Sequence, residues 1–183
     1  GLSLNRNNGE ITGTPTATLV ETEFVVNAQS NSGNLIGKIK IKVIDIPPSN
    51  LAYTTPNIYT KSVVIGSLTP SVGGGAVVSY AITPNLPTGL SLNTSTGSIT
   101  GTPTSLTVGT TYTITDSNTG GSTTANVHLT VNDVAPSGLS YNTPNIFTKG
   151  TRIQSLSPNV AGGAIIRYAI TPSLPTGLSI DTV

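Results

Sequence analysis

Ala125-Asn126-Val127-His128-Leu129-Thr130-Val131 alternates apolar and polar residues at every step. A period of two puts Val127, Leu129 and Val131 on one face of a β-strand and Asn126, His128 and Thr130 on the other, so the first set is expected to face a core. Eighty-eight residues earlier stands Lys38-Ile39-Lys40-Ile41-Lys42-Val43, where Ile39, Ile41 and Val43 hold the inward positions and lysines stand between them. The two stretches support the same assignment independently.

The step of 88 relates the rest of the chain as well. Gly-Leu-Ser-Leu occupies Gly1 to Leu4 and Gly89 to Leu92, and returns as Gly-Leu-Ser-Ile at Gly177 to Ile180. Residues 51–95 match residues 139–183 at 28 of 45 positions, and residues 1–50 match 89–138 at 19 of 50, without insertion or deletion. A fixed period of this length is the signature of a tandem array of one folded unit.

Within one unit, Ala76 to Ile82 reads as a strand, with Ala164 to Ile170 as its counterpart. Leu90-Ser91-Leu92 and Ser98-Ile99-Thr100 flank a Gly-terminated connection typical of a hairpin. Thr111 to Thr115 and Ala125 to Val131 flank Asn118-Thr119-Gly120-Gly121, a second hairpin. Adding Asn57 to Tyr59 and Val63 to Leu68 gives about seven strands, the number expected of an immunoglobulin-like sandwich. No segment sustains a helical period. The expected fold is therefore all-β, a tandem of β-sandwich repeats.

Pro47-Pro48-Ser49-Asn50 and Ala135-Pro136-Ser137-Gly138 read as links, because proline ends strand pairing and stiffens a short connection. On this phase residues 1–49 are the C-terminal half of one repeat, 50–135 a complete repeat and 136–183 the N-terminal half of the next. Each half would leave an apolar face and a sheet edge uncovered. With no methionine in the chain and Gly1 inside a recurring motif, the sequence is expected to be a segment of a longer array.

Composition narrows the function. Charged residues make up 8% of the chain, against about 25% in ordinary proteins, and the net charge is +1. No basic stripe exists to neutralise phosphates, so nucleic acid is not an expected partner. A surface this poor in charge repels its own copies weakly, which leaves self-association open. The absence of cysteine excludes disulfides, thiolate zinc sites and cysteine nucleophiles, and suits a bacterial surface protein. No apolar run approaches the roughly 18 residues of a membrane helix, so no membrane insertion is expected within this segment.

Leu86-Pro87-Thr88-Gly89-Leu90-Ser91-Leu92 followed by Thr96-Gly97-Ser98-Ile99-Thr100-Gly101-Thr102-Pro103-Thr104 resembles the hallmark of the immunoglobulin-like repeats called He_PIG. Tyr112 to Asn118 with Gly120-Gly121 resembles that family's next segment. The resemblance implies cadherin-like sandwiches arrayed on an extracellular, bacterial cell-surface protein. It implies no ligand.

Candidate sites are few. His128 is the sole histidine and its strand position predicts an exposed side chain, which argues against catalysis. Of the carboxylates Glu10, Glu21, Glu23, Asp45, Asp116, Asp133 and Asp181, only the position of Asp45 and Asp133 is acidic in both repeats that cover it. No carboxylate pair for hydrolysis is visible. Asn132-Asp133-Val134-Ala135-Pro136 faintly resembles a calcium-binding linker of cadherins, which makes Asp45 and Asp133 weak calcium candidates, although calcium takes about six to eight oxygens. No other cofactor is expected. Lys61 and Lys149 recur near Asn57 and Asn145, the pairing an isopeptide crosslink would need, with no buried acid placed beside it. Tyr53 with Tyr141 and Tyr80 with Tyr168 recur one period apart and read as core residues; Tyr59 and Phe147 are less settled. Lys38, Lys40 and Lys42 could touch an acidic matrix but read as edge protection. Asn93-Thr94-Ser95 fits a glycosylation sequon in a turn that favours Asn anyway.

The expected role is a structural spacer and adhesion repeat, extending as a rod through contacts with neighbouring repeats of the same or an identical chain. A host or matrix ligand would meet exposed strands or loops such as Gly73 to Gly75. The rival readings are a self-assembling filament, tube or sheath, and an accessory module of a secreted hydrolase.

Overall fold

The computed structural model describes residues 1–182, and every regular element among them is a β-strand. The first four are β1 (Leu2–Leu4), β2 (Ile11–Gly13), β3 (Leu19–Ser30) and β4 (Gly33–Val43). The middle of the chain holds β5 (Pro48–Ala52), β6 (Asn57–Thr60), β7 (Ser71–Gly74), β8 (Ser79–Thr83), β9 (Leu90–Leu92), β10 (Ile99–Gly101), β11 (Thr107–Asn118) and β12 (Gly121–Asn132). Last come β13 (Pro136–Ser140) and β14 (Asn159–Gly162).

The middle strands build the core. One sheet runs β6-β12-β11-β8, antiparallel except where β6 lies parallel to β12. Against it stand the pairs β5-β7 and β9-β10, with β5 packed across β11 and β12. The alternation read from the sequence holds: Val127, Leu129 and Val131 are buried while Asn126 is exposed and His128 and Thr130 are half-buried. Tyr112 and Ile114 point inward from β11 in the same phase, and Leu51, Leu90 and Ile99 meet them from the facing strands. Each such aliphatic side chain contributes about 1.5–3 kcal/mol by leaving water.

Four local expectations are corrected. Val63 to Leu68 is not a strand; Leu68 makes a single bridge to Ile99, and Ile65 and Leu68 both point into the core. Inward side chains three apart cannot belong to a period of two. Pro48 to Asn50 is not only a link, because β5 begins at Pro48 and pairs Pro48 with Gly74 and Ser49 with Gly73. Proline fits there because an edge position asks no amide hydrogen of it. The strand expected at Ala76 starts later, at Ser79, and Gly73 and Gly74 are strand residues rather than a free loop.

The flanking elements repeat the pairings of the middle ones residue for residue. The register Leu19↔Val43, Thr22↔Ile41 through Ser30↔Gly33 of β3-β4 becomes Thr107↔Val131, Thr110↔Leu129 through Asn118↔Gly121 in β11-β12, irregularity included. β1-β2 follows β9-β10 likewise, and β13-β14 follows β5-β7. Burial does not repeat: no residue before Pro48 and none after Val131 is fully buried among those described. The stretch Ala164 to Ile170, expected as a strand, forms none; its Tyr168 amide donates to Thr182 O at 3.3 Å. In the middle of the chain its counterpart pairs with β11. Val183 is outside the described residues.

Candidate functional site

Two polar clusters distinguish this molecule from a plain apolar sandwich. The first ties the link before β5 to the tip of the β11-β12 hairpin. Asn118 stands where that hairpin turns, and its Oδ1 accepts from the Gly120 and Gly121 amides at 2.8 and 3.2 Å. Its Nδ2 donates outward, to Ile46 O at 2.7 Å and Ala76 O at 3.0 Å. Thr119 Oγ1 donates to Asp45 Oδ2 at 2.6 Å and accepts from the Asp45 amide at 3.0 Å. Two turn side chains thus satisfy the polar groups of a link more than 70 residues upstream. The fit is close: a Cβ at Gly75 would overlap the Ile46 carbonyl, and one at Gly120 the Asp45 carbonyl.

The second cluster is buried. Asp116 follows Tyr112 and Ile114 in the inward phase of β11 and is fully enclosed. Its Oδ1 accepts from the Thr123 amide at 3.1 Å, while Oδ2 has no hydrogen-bond partner. An unsatisfied buried acceptor of this kind costs about 1–3 kcal/mol, more if charged. Tyr80 is paired with Asp116 across the sheet. Tyr53 Oη donates to Gly97 O at 2.7 Å. Burial raises the pKa of Tyr53 far above its ordinary value, with smaller contributions from Tyr80 and Asp116; burial and then Asp116 raise Tyr80. These phenols stay neutral and hold the core closed around Gly97.

The residues singled out from the sequence fall mostly outside both clusters. Asp45 belongs to the link cluster. Its counterpart Asp133 caps its own neighbour, accepting from the Val134 amide at 2.9 Å. Among the described residues no three of His, Cys, Asp and Glu gather in one place. One carboxylate engaged by one threonine does not fit the oxygen cage of a calcium ion. His128 is half-buried rather than exposed, with Nδ1 at 3.3 Å from Thr111 Oγ1 and its amide donating to Thr55 Oγ1. Asn57 and Asn145 spend their side-chain amides on Thr54 O and Asn142 O. Asp116 lies far along β11-β12 from the level where β6 pairs, and Asp133, which follows the Lys61 partner Asn132, is exposed, so among the described residues no buried acid stands by Asn57 and Lys61.

Lys38 and Lys40 pair with Glu23 at 2.7 Å and Glu21 at 3.4 Å, which neutralises much of the lysine face. Asn93 caps the amides of Ser95 and Thr96 with its side-chain oxygen. Tyr53 and Tyr80 are core residues as expected, and Tyr59 is half-buried against the core. Tyr141, expected inside, is exposed, because the surfaces that would cover it are not present around it. Sequence reasoning missed Asn118, Thr119 and Asp116. Only Asp116 left a signal, namely its place in the inward phase of β11.

No curated protein matches the chain. Solved structures similar to it include Sidekick-1 immunoglobulin domains 1–5, at 20% identity and TM-score 0.36, over 62% of this chain and 25% of that one. Drosophila OTK extracellular domains 3–5 match at 12% identity and TM-score 0.42, over 72% and 46%. A chimeric titin Z1Z2 matches at 17% and 0.34, over 50% and 98%. The chain thus spans a quarter of the length of the first of these. The family model described as "Putative Ig domain", He_PIG, matches residues 43–132. Those residues contain the whole buried core and the hairpin that grips the link. Residues 43–132 thus carry the match to the He_PIG family of Ig domains.

Proposed function

We propose that this chain is a spacer and adhesion repeat of a long bacterial cell-surface or secreted protein, without enzymatic activity, in which sandwiches follow one another as a rod. The observation that carries this reading is the grip of Asn118 and Thr119 on Asp45 and Ile46. A short link left in solvent would let successive units swing; a link whose carbonyl, amide and carboxylate are bonded to the following unit sets their angle. Reach and mechanical continuity are then the function, and a ligand would be met by exposed surface.

The test is small-angle X-ray scattering on the 183-residue polypeptide and on its Asn118→Ala/Thr119→Ala variant under dilute conditions. The wild type should give one narrow distance distribution, and the variant a broader one with an unchanged far-ultraviolet spectrum. A wild type that already scatters as freely hinged pieces would refute the reading.

A further inference from the structure

We propose that Asn93 is a site of covalent N-glycosylation, its side-chain amide taking a sugar from a donor activated as a glycosyl diphosphate. The inference rests on the extracellular part of the spacer reading and adds a modification to it. Three observations carry it.

The first is that the fold does not account for the motif. Asn93-Thr94-Ser95 is the only Asn-x-Ser/Thr stretch in the chain. Asn93 Oδ1 accepts from the Ser95 and Thr96 amides at 2.9 and 3.0 Å and so holds the β9-β10 turn. One repeat earlier, Asn5 Oδ1 accepts from the Asn7 amide at 3.0 Å in the same way, with no hydroxyl two residues on. One repeat later the position is Asp181, and a carboxylate oxygen caps a turn as an amide oxygen does. The turn therefore asks for an oxygen at position 93 and a backbone amide at position 95. It asks for neither the Asn93 nitrogen nor the Ser95 hydroxyl, the two groups that define an acceptor sequon.

The second observation is presentation. Asn93, Thr94, Ser95 and Thr96 are all exposed. Asn93 Nδ2 and Ser95 Oγ have no hydrogen-bond partner among the described residues, yet the backbone that carries them is fixed. The Asn93 amide donates to Ser98 O and its carbonyl accepts from the Gly97 amide, both at 2.8 Å. Thr94 O accepts from the Tyr80 amide at 2.8 Å, which anchors the turn to β8. A substituent on Nδ2 leaves Oδ1 and every one of these bonds in place.

The third observation is room of a suitable character. Beside the turn lies an open depression of about 430 Å³ whose lining includes Ile82, Leu86, Leu92, Asn85, Ser91 and Thr94. The three aliphatic residues are half-buried and the three polar ones exposed. An apolar lining with a few polar groups suits a pyranose, which has C–H faces and hydroxyl edges. The depression borders β8, an outer strand of the four-stranded sheet with no charged residue in Ser79–Thr83. Edge strands are commonly guarded by charge, proline or a bulge against pairing with another chain. A hydrated sugar beside β8 would guard this one, on a chain with only 8% charged residues.

In the transfer, the bond from Nδ2 to the anomeric carbon forms as the bond from that carbon to the diphosphate oxygen breaks. The diphosphate leaves with the electron pair, and one amide proton passes to a base of the transferase. The diphosphate carrier is a polyprenol or a nucleoside, and the size of the transferred group tells them apart.

Mass spectrometry on proteolytic fragments of the protein, recovered from the surface of the cells that make it, tests the assignment. A hexose or N-acetylhexosamine increment should sit on Asn93, as an oligosaccharide from a polyprenol carrier or as a single sugar from a nucleoside carrier. Asn93→Asp keeps the capping oxygen and Ser95→Ala keeps the capped amide, so both should fold with an unmoved central melting transition. Both should lose the increment completely, and Ser95→Thr should retain it. A bare Asn93 in the wild type, or an increment that survives on the same fragment in Asn93→Asp or Ser95→Ala, would overturn the proposal. If Asn93 is bare while scattering still gives one narrow distance distribution, the modification fails and the spacer reading stands.

Discussion

Gly97 offers the sharpest test of the core. It closes the β9-β10 turn at φ +72° with the two tyrosine rings and Pro70 packed against its Cα. Gly97→Ala adds two costs. A left-handed non-glycine residue costs about 1–2 kcal/mol. The new methyl would sit under 3.0 Å from Tyr80, Pro70 and Tyr53, and overpacking of a closed core costs about 1–3 kcal/mol. The total is about 2–5 kcal/mol. For a domain of this size each kcal/mol moves the midpoint by roughly 4–8 °C, so the central unit should melt about 8–40 °C lower. Gly9→Ala is the internal control, since it shares the backbone angle and lacks the neighbours. Its strain is confined to the β1-β2 turn, and the central transition should not move. Circular dichroism melts followed together with tyrosine fluorescence, at concentrations where the chain is dispersed, measure both. A Gly97→Ala midpoint within about 3 °C of wild type, or a Gly9→Ala variant that lowers the central transition equally, would refute this account of the core.

A second matched pair compares identical side chains: Ile99→Ala should destabilise the central unit by about 2–5 kcal/mol in denaturant titrations. Ile11→Ala, half-buried in the same register, should leave that transition in place, and equal losses would contradict the burial contrast. Alkaline titration probes the phenols. Tyr53, Tyr80 and Tyr59 have raised pKa values, chiefly through burial. Their contribution to stability is full below the unfolded value of about 10 and declines as pH rises toward the folded values. Tyrosinate absorbance should therefore appear late for these three and coincide with unfolding; ordinary ionisation in a chain that stays folded would count against it.

Much of the sandwich was legible because its longest strands obey a strict period. Val127, Leu129 and Val131 announced β12, and Leu90 to Gly101 announced a hairpin through its glycine turn. Where backbone geometry departs from that period, legibility fails. Ile65 and Leu68 reach the core from a segment that is not a strand, and Pro48 reads as a stop although it opens an edge strand. The link cluster was hidden for a different reason. Asn118 and Thr119 look like ordinary turn residues, and their partners are 72 and 74 positions away, beyond any local pattern. Asp116 was visible in principle, being a carboxylate on the inward phase of β11, but its weight comes from the unpartnered Oδ2, which only packing reveals.

That separation between link and hairpin tip has a consequence for how an array would be made. Asp45 and Ile46 emerge long before Asn118 and Thr119, and chain synthesis at about 5–20 residues per second puts roughly 4–15 s between them. Until the hairpin arrives, the joint is a free swivel. The growing product would therefore trail a limp segment one unit long behind its point of emergence, stiffening unit by unit as each late hairpin clasps the joint made before it. Such a chain could pass a narrow exit while pliant and become rigid on the far side.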